Sequence, residues 1–304
     1  MKSLLIFLAF IFSTLAQSAV NNYAILVAGA FRGFGNYARQ ACVYRAYNIL
    51  LKKGFKPHQI IVFAADDIAY NLMNPFLGQV FNQNNDRNVY NNVMIDYKGD
   101  DATAANFLNV LSGGRYLGPF MKSIPLKSGK QRQVIKPRQA DNVFLYFTGN
   151  SRNGQLNFPD GSYVNVKEFL ATLNDMYLHF GYNSMLIMLD SHGAASMIPG
   201  AAYSDIPMKT LIVTSTDEKG TSYGISCKGN SVVMGKVIGE VCLTTEFSDL
   251  LFLYLEGYYD KKHSLGSILD FIKQNNEEID LHAFGDKNIL RDAIGNYFTI
   301  EGVN

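Results

Sequence analysis

The chain reads as an α/β protein: an open, mostly parallel sheet with helices on both faces. Two observations predict it. Short, nearly continuous apolar runs end in glycine or small polar residues, as strands buried on both faces do. Between them lie segments whose apolar residues recur at helical spacing. The composition agrees, with 48% hydrophobic and 17% charged residues, which excludes a disordered chain. Three cysteines in 304 residues are too few for a disulfide scaffold, so a hydrophobic core carries the stability. With 27 basic and 26 acidic side chains the net charge is +1, without the basic excess of a nucleic-acid binder.

Residues 1–19 read as a secretory signal. Lys2 supplies the positive start, Leu4 to Phe12 is an unbroken apolar run of nine, and Ala16, Ser18 and Ala19 are small. Nine apolar residues fall short of the ~20 that span a bilayer core. The richest later run, Leu250 to Leu255, is broken by Glu256 and Gly257, so no membrane span is expected. One domain, 20–304, is expected in a secretory, lysosome- or vacuole-like, or extracellular space. Such a space permits disulfides. Cys227 and Cys242 can pair there and leave Cys42 alone, although spacing alone does not decide it.

Tyr23 to Gly29 (YAILVAG) is the first expected strand. Cys42, Ala46, Ile49, Leu50 and Lys53 then mark a helix over 38–53, with Gly54 where a helix C-terminal cap belongs. Ile60 to Ala65 repeats the strand pattern and completes a right-handed βαβ unit. Downstream, helices are expected over 102–111, 166–180, 246–258 and 264–275. Val143 to Thr148, Met185 to Asp190 and Leu211 to Ser215 complete five buried strands. Residues 66–101, rich in Asn and Asp, read as a structured surface loop. Residues 115–138 carry seven Lys or Arg and no acid, as a solvated loop or an anionic docking site would.

In open α/β sheets the ligand site lies beyond the carboxyl ends of the strands. Two such ends stand out: Tyr146-Phe147-Thr148-Gly149-Asn150-Ser151-Arg152-Asn153-Gly154, and Met188-Leu189-Asp190-Ser191-His192-Gly193-Ala194-Ala195-Ser196-Met197. Here the chain resembles the legumain family of cysteine peptidases, which includes the catalytic subunit of GPI transamidase. Asn36-Tyr37, Asp66-Asp67-Ile68-Ala69-Tyr70, Asn74-Pro75, Val89-Tyr90, Asp96-Tyr97-Lys98-Gly99 and Asn106 to Leu111 carry the likeness, over most of 21–300. The resemblance implies a caspase-like α/β sheet.

It also implies a site. The first strand end carries the family's catalytic histidine, and that position is Asn150 here. The second carries the nucleophilic cysteine; aligning on Asp190, Ser196 and Met197 places His192 there. Asn36 survives from the family pattern and is counted with these two as a catalytic position. In the specificity pocket the family's arginine falls on Ala38, with Arg39 one step on. Its acid falls on Asp190 and its later aspartate on Lys236, and Ser222 belongs to the surviving Thr221-Ser222-Tyr223 segment.

A cysteine peptidase needs a thiolate to attack and an imidazole to move protons, and Asn150 titrates nothing. The expectation is a homologue inactive as a cysteine peptidase that binds a peptide or protein partner in the inherited cleft. The alternatives are an amidase or transpeptidase using Ser151, Ser191 or His192, and a soluble accessory subunit of a transamidase-like complex. Ser191 and His192, adjacent on a strand, should face opposite sides. No cofactor is implied, and His192 with Asp190 lacks the third ligand a metal needs.

Overall fold

The computed structural model describes residues 20–300 apart from Asn84, Asp86, Lys228 and Asn230. The expected signal segment, 1–19, lies outside the described residues. A seven-stranded sheet forms the centre, built from β1 (Asn22–Gly29), β2 (Ile60–Ala64), β3 (Tyr97–Lys98), β4 (Asn142–Asn150), β5 (Ser184–His192), β6 (Thr210–Thr214) and β7 (His282–Gly285). The order across it is β7-β6-β5-β4-β1-β2-β3. All pairs are parallel except β7 against β6. The five expected strands are all present. The edge strands β3 and β7 were not foreseen: β3 is two residues long, and β7 (HAFG) is half-buried throughout.

Alternation along the strands sends side chains into two cores. On one face Leu26, Tyr146 and Met188 pack against α1 (Tyr37–Lys52), α4 (Glu246–Leu253) and α5 (Gly266–Asn275). On the other, Val27, Phe147 and Leu189 pack against α2 (Ala104–Leu111) and α3 (Val166–His179). α3 starts at a capping box, in which Asn165 Oδ1 accepts from the Glu168 N–H and Glu168 Oε2 from the Asn165 N–H. The helix expected over 246–258 is α-helical only to Leu253 and turns into a π-helix at Tyr254–Tyr258. Glu256 in that turn takes Arg45 and Arg87 as ion partners.

The basic stretch 115–138 spends much of its charge internally. Arg115 pairs with Asp175, Arg138 with Asp141, and Lys130 Nζ donates to the Ile95 carbonyl. Arg132 donates to the carbonyls of Met121 and Ile124. Cys227 and Cys242 form a disulfide, and Cys42 is free and buried. No helix among the described residues is long and apolar enough to cross a membrane.

The chain runs from β1 outward through β2 and β3, then returns to the other side of β1 as β4 and continues outward to β6. The crevice that such a reversal opens lies at the carboxyl ends of β1 and β4. The end of β4 borders that crevice, and the end of β5 lies next to it.

Candidate functional site

Asn150 and His192 are register partners at the last rungs of β4 and β5, and Thr148 and Asp190 are partners one turn of the pleat below. All four share the face that α1 covers. Gly193 ends β5 with φ +64°, and a Cβ there would lie 2.8 Å from the Glu218 carbonyl, so glycine is required at this turn.

Asp190 is fully buried and saturated. Its Oδ1 accepts from Ser222 Oγ at 2.7 Å and Ser215 Oγ at 3.3 Å; its Oδ2 accepts from Thr245 and Ser248. The Arg39 guanidinium reaches the same cluster from α1. Nη1 donates to Thr148 Oγ1 at 3.0 Å, Ser222 Oγ at 3.2 Å and the Asp190 carbonyl at 3.3 Å, and lies 3.8 Å from Asp190 Oδ1. Ala38 is buried in α1, but Arg39 supplies a cation to Asp190. Arg39 lies on the same helical stripe as Cys42, Ala46 and Lys53, a signal that was present in the sequence.

His192 is half-buried. Its Nδ1 accepts the Ser222 backbone N–H at 3.2 Å, which fixes the neutral ring with its proton on Nε2. Burial pushes the imidazole below its ordinary pKa; Arg39 and Arg152 add to this and Asp190 opposes it. Asn150 Oδ1 accepts the Arg152 backbone N–H, and Arg152 Nη2 donates to Thr221 Oγ1 at 3.3 Å. Ser151 and Ser191, both buried, hydrogen-bond to each other. Ser151 Oγ also donates to the carbonyl of His192, not to its ring.

The remaining expected residues stand apart. Asn36 Nδ2 donates to the Phe31 carbonyl and makes no hydrogen bond to Asn150 or His192. Lys236 lies exposed on a hairpin (Val232–Val233 with Lys236–Val237), its Nζ 5.6 Å from the Phe76 ring centroid, and no bond joins it to the Asp190 cluster. Thr245, Ser248 and Arg152 were not foreseen. The first two lie at the start of α4, more than fifty residues from Asp190, a proximity that only the tertiary fold creates. Among the described residues no group of three or more His, Cys, Asp or Glu side chains is arranged to hold a metal.

A model of the peptidase C13 family matches residues 22–300. The chain belongs to that family, the legumain peptidases. Within the C13 family it is 36% identical over 230 residues to a hemoglobinase of Schistosoma mansoni, covering 76% of this chain and 47% of that one. It is 33% identical to a legumain of Canavalia ensiformis, covering 68% and 41%. A vacuolar-processing enzyme delta-isozyme of Arabidopsis thaliana is 30% identical over 281 residues, covering 90% and 57%. The chain thus spans about half the length of the curated relatives it matches. Among solved structures, caspase-1 of Spodoptera frugiperda aligns with a TM-score of 0.49 at 11% identity, over 93% of this chain and 94% of that one. That likeness is loose, and the α/β class rests on the sheet itself.

Proposed function

We propose that this C13-family chain does not act as a cysteine peptidase, and that it binds a peptide or protein partner in the cleft at the ends of β4 and β5. One observation carries the reading: the chain has three cysteines, and none offers a thiol to that cleft. Cys227 and Cys242 are bonded to each other. Cys42 is 0% exposed on α1, with Sγ between Thr244 Oγ1 at 3.3 Å and Asn82 Nδ2 at 3.4 Å. A thiolate is the nucleophile that cysteine chemistry requires.

Asn150 stands at the family's histidine position and His192 at its cysteine position. Loss of either dyad member costs orders of magnitude in rate. Ser151 and Ser191 do not rescue the chemistry, because each hydroxyl bonds to the other away from the imidazole. In this reading Asp190, Arg39 and Ser222 act as the wall of the cleft, and Ala38 and Lys236 contribute no recognition. The protein enters the secretory pathway and works in a lysosome- or vacuole-like compartment or outside the cell.

The test is reconstruction. The Asn150→His/His192→Cys double variant should gain hydrolysis of fluorogenic peptides that iodoacetamide abolishes, while the parent chain stays at the blank. Iodoacetamide-sensitive turnover by the parent chain would overturn the proposal.

A further inference from the structure

Three side chains around the strand ends keep hydrogen-bond donors that meet no acceptor among the described residues. The bond from the Ser222 N–H to His192 Nδ1 leaves the ring proton on Nε2, where no partner meets it among the described residues. Asn150 uses its Oδ1 to accept from the Arg152 N–H, so its Nδ2 donors are free. Arg152 is exposed, pairs with no carboxylate among the described residues, and spends one guanidinium nitrogen on Thr221. Its stem passes over the turn: a Cβ on Gly193 would sit 3.1 Å from Arg152 Cγ. Asn150 and His192 are register partners on one face. Two neutral donor side chains and a cation thus stand together at the ends of β4 and β5, at the positions the family resemblance assigns to base and nucleophile.

The charges nearby do not cancel this. Asp190 on that face is already occupied by four hydroxyls and Arg39. Asp217, Glu246, Glu278 and Asp280 line a cavity of about 240 Å³ that Thr221, Ser222 and Tyr223 also line, and the Glu218 carbonyl faces the Gly193 turn. These acids repel an anion from that cavity and leave the Arg152 side as the place for it.

We propose that Asn150, His192 and Arg152 form a carboxylate-binding site that holds an anionic group of the peptide ligand, its C-terminus or an acidic side chain. The proposal rests on the peptide-binding reading above and names the chemistry recognised. Arg supplies a charge-assisted donor, and the two neutral donors fix the orientation of the oxygens. An uncharged amide in the same place would set its own N–H₂ against three donors and lose affinity.

The experiment uses the full chain, 15N-labelled at histidine, and four small probes: N-acetyl-Ala-Ala, its C-terminal amide, N-acetyl-Asp-N-methylamide and N-acetyl-Asn-N-methylamide. At least one acid should bind fivefold or more tighter than its amide and shift the His192 ring signals. Whichever acid does so identifies the C-terminus or the side chain as the source. Arg152→Gln, an exposed change that leaves the fold intact, should reduce that ratio below twofold. Equal binding of acids and amides, no binding of any probe, or an unchanged ratio in Arg152→Gln would overturn the proposal. Hydrolysis of a peptide by the parent chain would instead sink the non-catalytic reading, and the acid-to-amide ratio would still decide this one.

Discussion

His192 and Asp190 sit two residues apart and play different parts. Burial, with Arg39 and Arg152, holds the His192 imidazole below its ordinary pKa, so the folded state binds fewer protons there than the unfolded chain. Stability contributed at this position is present above the unfolded value near 6.5 and is lost as the pH falls through and below it. Thermal melts should therefore show the parent chain losing more Tm between pH 7 and pH 5 than His192→Gln does. Asp190 is an anchor: Asp190→Ala leaves Arg39 buried at 8% exposure without its counter-ion and strips four hydroxyls of their acceptor. A loss of about 3–5 kcal/mol is expected in denaturant titration. A loss under 1 kcal/mol would show that the cluster does not hold the cleft together.

At the scale of elements, two connections carry testable energy. Asp96 precedes β3, accepts the Val62 N–H at 2.9 Å, and is pushed up to about 6 by burial, against that hydrogen bond and Lys130. Its folded pKa is raised, so the stability it contributes is present at low pH and lost as the pH rises through about 6. Asp96→Asn keeps an acceptor for Val62 and removes the charge. It should raise stability by about 1–2 kcal/mol at pH 7.5, with the gain shrinking towards pH 4.5. The disulfide closes a 15-residue separation next to the two-residue ladder of Gly224–Ile225 with Thr244–Thr245. Reduction should cost about 3 kcal/mol on a loop-entropy argument. The central strands and α1 were legible because continuous apolar runs and helical spacing are local signals. β7 was not, since a half-buried antiparallel edge strand carries no such run. The strand-end residues were legible from motif order. Arg39 entering the Asp190 cluster was not, because a long side chain's reach is set by the packing of α1 on the sheet. The position of Lys236 on its hairpin was not legible for the related reason that a hairpin's direction is absent from its sequence.

For the whole molecule, the parallel sheet brings Asn150 and His192 side by side at the ends of β4 and β5, next to the reversal of strand order. In the proposed reading, the buried Asp190 cluster and the Thr221-Ser222-Tyr223 edge shape a cleft that holds a ligand without breaking a bond. The measurement that bears most directly on this is turnover of a fluorogenic peptide panel, Asn and Asp substrates included, from pH 4 to 7.5, with the purified chain beside His192→Ala. The account predicts that both remain at the blank at every pH. Turnover in the parent chain that disappears in His192→Ala would contradict it and make His192 the centre of a working mechanism.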